Sequence, residues 1–590
     1  MGDFYNPFVI PFCLGTALLF IICIWKYIKW FLQFDAEQRR LVFRNTFSWK
    51  FFGAIGEMLM ECLFHRRITR NNKLLGYMHR SIALGWFLLI VVGAVESRLA
   101  LGGGKPLWVS IFFRYFEHNP HTFGAATFFT NLMDLLLLYV LSGVLLAYSK
   151  RIYSKMFGMK SPTKHVIFDK FALSALWCIF PLRLLSESAT AALYHNGGFM
   201  TQTIGNLFSQ PVASALELPL WTLYSVALGV FFVALPFSRY MHIFTEVFLI
   251  YFRKMGVKER SHTTGYTKYE LNACSRCGIC IDACPLNNEL DIKNIQPVYF
   301  LRDVRYNRLH DEVANNCLMC GRCEAYCPVG IEQSAVRRQM RGKGQLDAGN
   351  YGYVKGETTP AVAGKVVYFG GCMSHLTPAI PEAMKVIFKA AGDSFLYLDE
   401  ERSICCGKPL AQQGFCQQAK ELRDENTRLI EQSGAQVLVT SCPICYQEFK
   451  KEYHLSIKVL HHTEYINQLI AEGRLKVQQG ALKVVYHDPC ELGRGCGIYD
   501  EPRSVLKAVS HTVEARFDKE KSLCCGYNLG NTVLESDQQE AVRNAAMESL
   551  LCNHPDVIAT ACPMCKKAFM HGKDFPVKDI AEIVKDNLIS

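Results

Sequence analysis

Eighteen of the 25 cysteines fall into four ordered sets, all after residue 270. Two sets follow C-x2-C-x2-C-x3-C-P: Cys274, Cys277, Cys280 and Cys284 before Pro285, then Cys317, Cys320, Cys323 and Cys327 before Pro328. Two more have a lone Cys, a Cys-Cys-Gly 33 or 34 residues on, then C-P-x-C. They are Cys372, Cys405, Cys406, Cys442 and Cys445, then Cys490, Cys524, Cys525, Cys562 and Cys565. Thiolates grouped in this way bind iron–sulfur clusters, so the chemistry they offer is electron transfer and the natural count is four. In the first two sets, three cysteines of one loop grip three corners of a cubane and the fourth crosses to the other cluster. That pattern predicts cluster 1 on Cys274, Cys277, Cys280 and Cys327, and cluster 2 on Cys317, Cys320, Cys323 and Cys284. Zinc sites would show separate C-x2-C pairs. Disulfide frameworks belong to short secreted chains, and thiols kept for clusters need a reducing compartment.

The elements that must carry these cysteines differ between halves. Residues 365–590 contain an internal duplication. Val366-Val367-Tyr368-Phe369 before Gly370-Gly371-Cys372 parallels Val484-Val485-Tyr486-His487 before Asp488-Pro489-Cys490. Each repeat alternates strand-like runs (436–440) with helix-like ones (421–432), which argues for a duplicated α/β domain. Residues 292–313, between the two four-cysteine runs, read as mostly helical and predict a helical two-cluster ferredoxin module. The expected organisation is multi-domain. A membrane domain spans 1–255, the ferredoxin-type module 256–345 and a linker 346–364. The first repeat covers 365–480 and the second 481–590. Cys416, Cys496 and Cys552 lie outside the motifs and read as ordinary buried thiols.

Five stretches, 8–30, 80–100, 126–148, 168–192 and 217–250, are apolar and long enough to cross a bilayer, predicting an all-α five-helix transmembrane bundle. The first lacks a small-residue cleavage site and reads as a retained helix. Residues 51–60 are apolar but short, suggesting an interfacial or re-entrant helix. The net charge of +11 is concentrated beside these runs and not in a nucleic-acid motif. Basic residues cluster after the first, third and fifth runs, whereas the loops at 101–125 and 193–216 hold only Lys105 and Arg114. Positive-inside logic puts the N-terminus outside and the cysteine-rich half in the cytosol, at the inner membrane.

His79 opens the second run and His242 follows Pro236-Phe237-Ser238-Arg239 near the inner end of the fifth. Two imidazoles at one depth on different helices could hold a b-type haem; the plainer alternative is interfacial hydrogen bonding. The five spans with Pro236-Phe237-Ser238-Arg239 and His242 resemble the cytochrome b subunit of respiratory nitrate reductase and its relatives. The resemblance implies that His79 and His242 hold the cytoplasm-side haem. The second pair does not carry over: ten residues after His79 stands Leu89, and eighteen before His242 stands Tyr224. One haem is therefore expected, with His65, His118, His121, His165 and His195 as the remaining imidazoles. Glu96, Asp134, Arg183 and Glu187 are membrane-embedded ionisable residues, candidates for quinone or proton handling or simply paired with one another.

The Cys-Cys-Gly sets resemble those of the catalytic heterodisulfide reductase subunit, where such motifs hold non-cubane [4Fe–4S] clusters on all five cysteines. The resemblance implies two non-cubane clusters beside the two cubanes. The order of parts is similar to fused membrane iron–sulfur oxidoreductases, including electron-transfer-flavoprotein:menaquinone oxidoreductases. It implies an oxidoreductase passing electrons between a soluble flavoprotein and menaquinone or another membrane quinone. Alternatives are a disulfide or heterodisulfide reductase acting at a Cys-Cys-Gly cluster, and a non-catalytic relay subunit. No G-x-G-x-x-G follows a strand, so any flavin belongs to a partner, and no C-x-x-C-H points to c-type haem.

Overall fold

The computed structural model describes residues 4–119, 121–157, 166–260, 262–341, 365–401, 403–527, 533–571 and 575–589. The expected linker, 346–364, falls within the undescribed 342–364, and His165 also lies outside the described residues. The chain forms two compact units, Met1–Gly278 and Ile279–Ser590.

In the first unit, four helices among the described residues are long and apolar enough to cross a membrane: Pro7–Leu32, Lys73–Leu101, Ala126–Ile152 and Gln210–Phe237. They mark a membrane protein. Leu14, Ile21, Leu138 and Leu145 project outward exposed, as lipid-facing side chains do. Where helices cross, small residues let backbones meet. A Cβ on Gly15 would lie 2.7 Å from the Gly229 Cα, and one on Gly85 2.5 Å from Val140.

The fourth apolar stretch is also helical over Ile167–Tyr194, but buried Asp169, Arg183 and Glu187 interrupt its apolar surface. The fifth corrects the expectation of one run from 217 to 250. The helix stops after Ala234, and the 3-10 turns Leu235–Phe237 and Arg239–Met241 precede a separate helix, His242–Lys254. Pro236 cannot continue the hydrogen-bond ladder. Its carbonyl accepts from Lys26 Nζ at 2.7 Å, and Ser238 caps the turn that follows. Residues 51–60 belong to the helix Lys50–Met58 and a π-helical turn, Leu59–Leu63.

The second unit begins with short helices, among them Pro297–Arg305 and Asp311–Asn315, so residues 292–313 are helical only in part. Two four-stranded parallel sheets follow. The first contains β1 (Val366–Phe369), β2 (Phe395–Tyr397), β3 (Val437–Thr440) and β4 (Lys458–His461) in the order β2-β1-β3-β4. The second repeats it with β5 (Lys483–His487), β6 (His511–Val513), β7 (Val557–Thr560) and β8 (Val577–Asp579) as β6-β5-β7-β8. All four residues of β1 and of β7 are buried, as parallel strands covered on both faces require. One apolar core runs through both repeats, joining Val367, Phe388 and Ile466 to Leu506, Ile580 and Val584. The repeats therefore fold as one body.

Candidate redox centres

In both sheets the strand order reverses between the first and third strands of the repeat, which is where doubly wound sheets open a crevice at their carboxyl ends. The cysteines occupy that crevice. Cys372 follows β1, Cys405 and Cys406 lie in the loop after β2, and Cys442 and Cys445 follow β3. Residues up to 73 positions apart thus meet because adjacent parallel strands end side by side. Hydrogen-bonding contacts run from Cys372 through Cys405, Cys406 and Cys445 to Cys442. The second repeat reproduces this chain from Cys490 through Cys524, Cys525 and Cys565 to Cys562.

The local sequence serves this packing. Cys442 and Cys562 cap helices Pro443–Lys451 and Pro563–Met570, whose missing first N–H suits Pro and whose positive ends favour anionic sulfur. Gly407 and Gly526 have φ of +87° and +84°, which only glycine adopts freely, and the Gly407 N–H donates to Cys405 Sγ at 3.4 Å. A Cβ on Gly526 would also lie 2.8 Å from the Gln539 carbonyl, against 3.0 Å from the Ala419 carbonyl at Gly407. Each Gly→Ala substitution is expected to cost about 1–2 kcal/mol in backbone strain. Gly526→Ala should lose the more iron, measured per chain after reconstitution.

The thiols contend for protons: Cys406 is pulled down to about 6 by hydrogen bonds from Cys405 and Cys445, while Cys445 is pushed up. Cys525 is likewise lowered by Cys524 and Cys565. This donor set suits a group carrying several thiolates. Among the described residues no three His, Cys, Asp or Glu side chains close around a single metal-ion position.

In the ferredoxin segment of the second unit, Cys284, Cys317, Cys320 and Cys323 lie within electrostatic reach of one another. Gln333 Nε2 donates to Cys323 Sγ at 3.5 Å and the Met319 N–H to Cys317 Sγ at 3.4 Å. Cys280 and Cys327 belong to this unit, Cys274 and Cys277 to the first. Cys320 also hydrogen-bonds Cys524, so the second four-cysteine loop meets the second repeat sulfur to sulfur. Two arginines join these parts. Arg322 donates to the carbonyls of Ala283 and Lys521, and Arg494 to those of Cys320 (2.7 Å), Glu520 and Ser522. Arg494 Nη2 is buried without a hydrogen-bond partner, and its charge acts on Cys320, Cys490 and Cys524. An anionic cluster on either side would complement it. Arg494→Gln is expected to make both neighbouring midpoints more negative by on the order of 60 mV, a tenfold shift for a one-electron couple, in EPR titrations.

In the first unit, His79 has His242, Arg239 and Lys150 within electrostatic reach, and the His65 ring lies 5.6 Å away. His242 Nδ1 lies 2.8 Å from the Arg239 carbonyl, which can only accept, so Nδ1 carries the proton and iron ligation would fall to Nε2. Lys150 also lies within electrostatic reach of Cys277. The cysteine loop is anchored here: Tyr269 donates to the Tyr27 carbonyl at 2.9 Å, and Arg276 pairs with buried Asp169, which also accepts from the Arg239 N–H at 2.7 Å. His118 and His195 are exposed surface residues, and so is His121.

Leu89 and Tyr224 are both buried. Tyr224 is hydrogen-bonded to Arg183, which pairs with Glu187 at 2.9 Å. Glu96 pairs with Arg114 at 2.6 Å, and Asp134 accepts the N–H groups of Met200 and Thr201. All four embedded ionisable residues thus have protein partners.

Sequence reading missed Asp169, Arg276, Arg322 and Arg494, whose roles depend on partners distant in sequence; only their position beside the cysteine runs or histidines was a signal. It also erred on two thiols. Cys416 and Cys552 are exposed, because they open a helix and lie in a 3-10 turn at the surface. Cys496 is partly buried near Lys408, Lys451 and Glu491.

Comparison with known proteins agrees with this picture. The Cysteine-rich (CCG) domain matches residues 366–450 and 484–570, and the 4Fe-4S dicluster domain matches 270–331. A dihydromethanophenazine:CoB–CoM heterodisulfide reductase chain of Methanosarcina barkeri is 25% identical over 56% of this chain and 97% of its own. The EtfAB:quinone oxidoreductase of Syntrophomonas wolfei is 24% identical over 62% of this chain and 67% of its own. The probable iron-sulfur-binding oxidoreductase FadF of Bacillus subtilis is 23% identical over 97% of this chain and 96% of its own. Among solved structures, glutamate racemase isoform RacE1 of Bacillus anthracis overlaps 39% of this chain and 80% of its own at 15% identity, but its TM-score of 0.19 supports no argument.

Proposed function

We propose that this iron–sulfur oxidoreductase carries electrons between a soluble flavoprotein and a membrane quinone. The observation that carries the reading is Lys150, which lies within electrostatic reach of both Cys277 and His79 and so brings a cluster-ligating loop up to the membrane histidines. The relative named EtfAB:quinone oxidoreductase supports the two ends of the path. The cysteine sets hold two cubane and two non-cubane [4Fe–4S] clusters, with Cys284, Cys317, Cys320 and Cys323 on one cubane. Haem b is held by His79 and His242 in a five-helix domain covering 1–255, followed by the ferredoxin module, the linker and the two Cys-Cys-Gly domains at 365–480 and 481–590. These domains face the cytosol at the inner membrane.

When bound, the clusters and haem supply one-electron steps; the protein supplies their order and surroundings. Arg239 fixes the His242 ring through its carbonyl, and Asp169 holds both Arg239 and the Arg276 loop. Arg494 places positive charge between the second ferredoxin loop and the second repeat. Full-length protein in liposomes, reduced anaerobically, is expected to be reoxidised by a menaquinone analogue, with haem and cluster spectra recovering together. His79→Ala and His242→Ala should each abolish the haem spectrum and leave the clusters reducible. Failure of quinone to reoxidise the wild-type chain would sink this reading.

A second reading, reduction of a disulfide at a Cys-Cys-Gly cluster, is favoured by the completeness of both five-cysteine sets and by the heterodisulfide reductase relative. Rapid cluster oxidation on adding small disulfides to the reduced protein would select it.

A further inference from the structure

A π-helical turn, Leu59–Leu63, is followed by His65 with left-handed backbone angles (φ 49°, ψ 48°). π-helical turns inside helical segments concentrate at functional sites, and non-glycine residues at positive φ are uncommon. Together they bend the chain so that Glu61 points inward. Its residue is 3% exposed. One carboxylate oxygen, Oε2, accepts the Arg67 N–H at 3.0 Å, but Oε1 is buried with no hydrogen-bond partner. The guanidinium Nε atoms of Arg66 and Arg67 stand at 3.5 and 3.7 Å from it, close enough for charge attraction only. A buried acceptor left without a partner is costly, so this oxygen suits a ligand that brings an O–H donor.

Glu246, one turn beyond His242, is also buried and lies within electrostatic reach of Glu61. Its carboxyl and that of Glu61 thus belong to one buried cluster. Glu57, Cys62, Arg67 and Arg253 face the same cluster. On the outer side of the turn, Leu59, Met60 and Phe64 are exposed. A lipid-borne molecule can therefore reach the turn through apolar side chains and meet two carboxyl groups at its inner side. The ring of His65, just after the turn, lies 5.6 Å from the His79 ring, centroid to centroid.

We propose that residues 59–65 bind the headgroup of an isoprenoid quinone, with the Glu61 carboxyl as hydrogen-bond partner of one ring oxygen and the Glu61–Glu246 pair as its proton relay. This rests on the reading that a quinone is the membrane partner. Turning a quinone into a quinol converts two C=O groups to C–OH and takes up two electrons and two protons. The electrons would be supplied by the iron–sulfur clusters that the cysteine sets would hold. The protons pass from the two carboxyl groups, which recover them from the aqueous side; quinol oxidation runs the same transfers in reverse. Oε1, which lacks a hydrogen-bond partner, is placed to accept the O–H of the quinol, with Arg66 and Arg67 at 3.5 and 3.7 Å from it.

The test uses full-length protein in nanodiscs with a photoreactive azidoquinone. The label is expected on residues 59–65 and should be displaced by an unlabelled menaquinone analogue. Glu61→Gln should slow quinone-dependent reoxidation of the reduced chain roughly tenfold or more while the haem and cluster spectra stay as in wild type. Labelling elsewhere, in a chain that quinone does reoxidise, would overturn this site and leave the proposed function standing. A wild-type chain that quinone cannot reoxidise would overturn both. Labelling at 59–65 with an unaltered rate in Glu61→Gln would overturn the proton role of Glu61. If Glu61→Gln fails to insert, the wild-type labelling pattern alone decides the site.

Discussion

Replacing Cys524 and Cys525 together with alanine is expected to abolish turnover and to leave the first-repeat centre unreducible through the chain's own wire. The reason is a sequence of contacts within the second unit. Cys320 of the ferredoxin segment touches Cys524, and Cys562 at the far end of the second-repeat chain lies within electrostatic reach of Cys442 in the first. On the proposed path the second repeat therefore lies between the ferredoxin segment and the first repeat. The matching change, Cys405→Ala with Cys406→Ala, should also stop turnover but leave the second-repeat centre reducible. Rapid-freeze EPR after reduction at the ferredoxin end separates the two. If the first-repeat signal still develops at wild-type rate in the Cys524/Cys525 variant, the order is wrong. Cys406 is part of the shared apolar core and Cys525 of a smaller one, so loss of signal is to be checked against the circular dichroism spectrum of each variant.

Asp169→Ala is expected to be the most damaging single change in the first unit outside the proposed ligands. Asp169 is fully buried, pairs with Arg276 and accepts the Arg239 N–H. Removing one partner of a buried ion pair costs about 3–5 kcal/mol, because the other charge stays buried. Here the damage should extend to function. Arg276 lies between Cys274 and Cys277, and Arg239 holds the His242 ring, so one carboxylate fixes both a cluster loop and a proposed haem ligand. Thermal melts should show the loss, together with a broadened haem spectrum and slowed haem reduction. Asp169→Ala combined with Arg276→Met should recover much of the stability but not the rate, since the buried charge is gone and the anchor is still missing. Equal recovery of both would show that Asp169 matters only for folding.

Much of this protein is written in local signals. Cysteine spacing announces the redox segments, because loop thiolates at two- and three-residue intervals report their own geometry. The repeated strand-to-cysteine pattern announces the duplication, and β1, β3, β5 and β7 lie where strand-like runs precede cysteines, whereas β2, β4, β6 and β8 carried no such mark. Apolar length announces the membrane helices. It failed at 217–250, where apolar composition hides the break that Pro236 and Ser238 make in backbone hydrogen bonding.

What only the tertiary structure decided is how distant segments meet. The five cysteines of a repeat converge because parallel strands end at a shared edge where the order reverses, a property of strand order that spacing does not reveal. The contact of Cys320 with Cys524, the Arg276–Asp169 pair and the approach of Glu61 to Glu246 join residues far apart in the chain. A lone Arg or Glu in a sequence carries no mark of whether it is solvated or buried against a partner. Its energy depends on that partner and on the exclusion of water, and both exist only once the chain has folded.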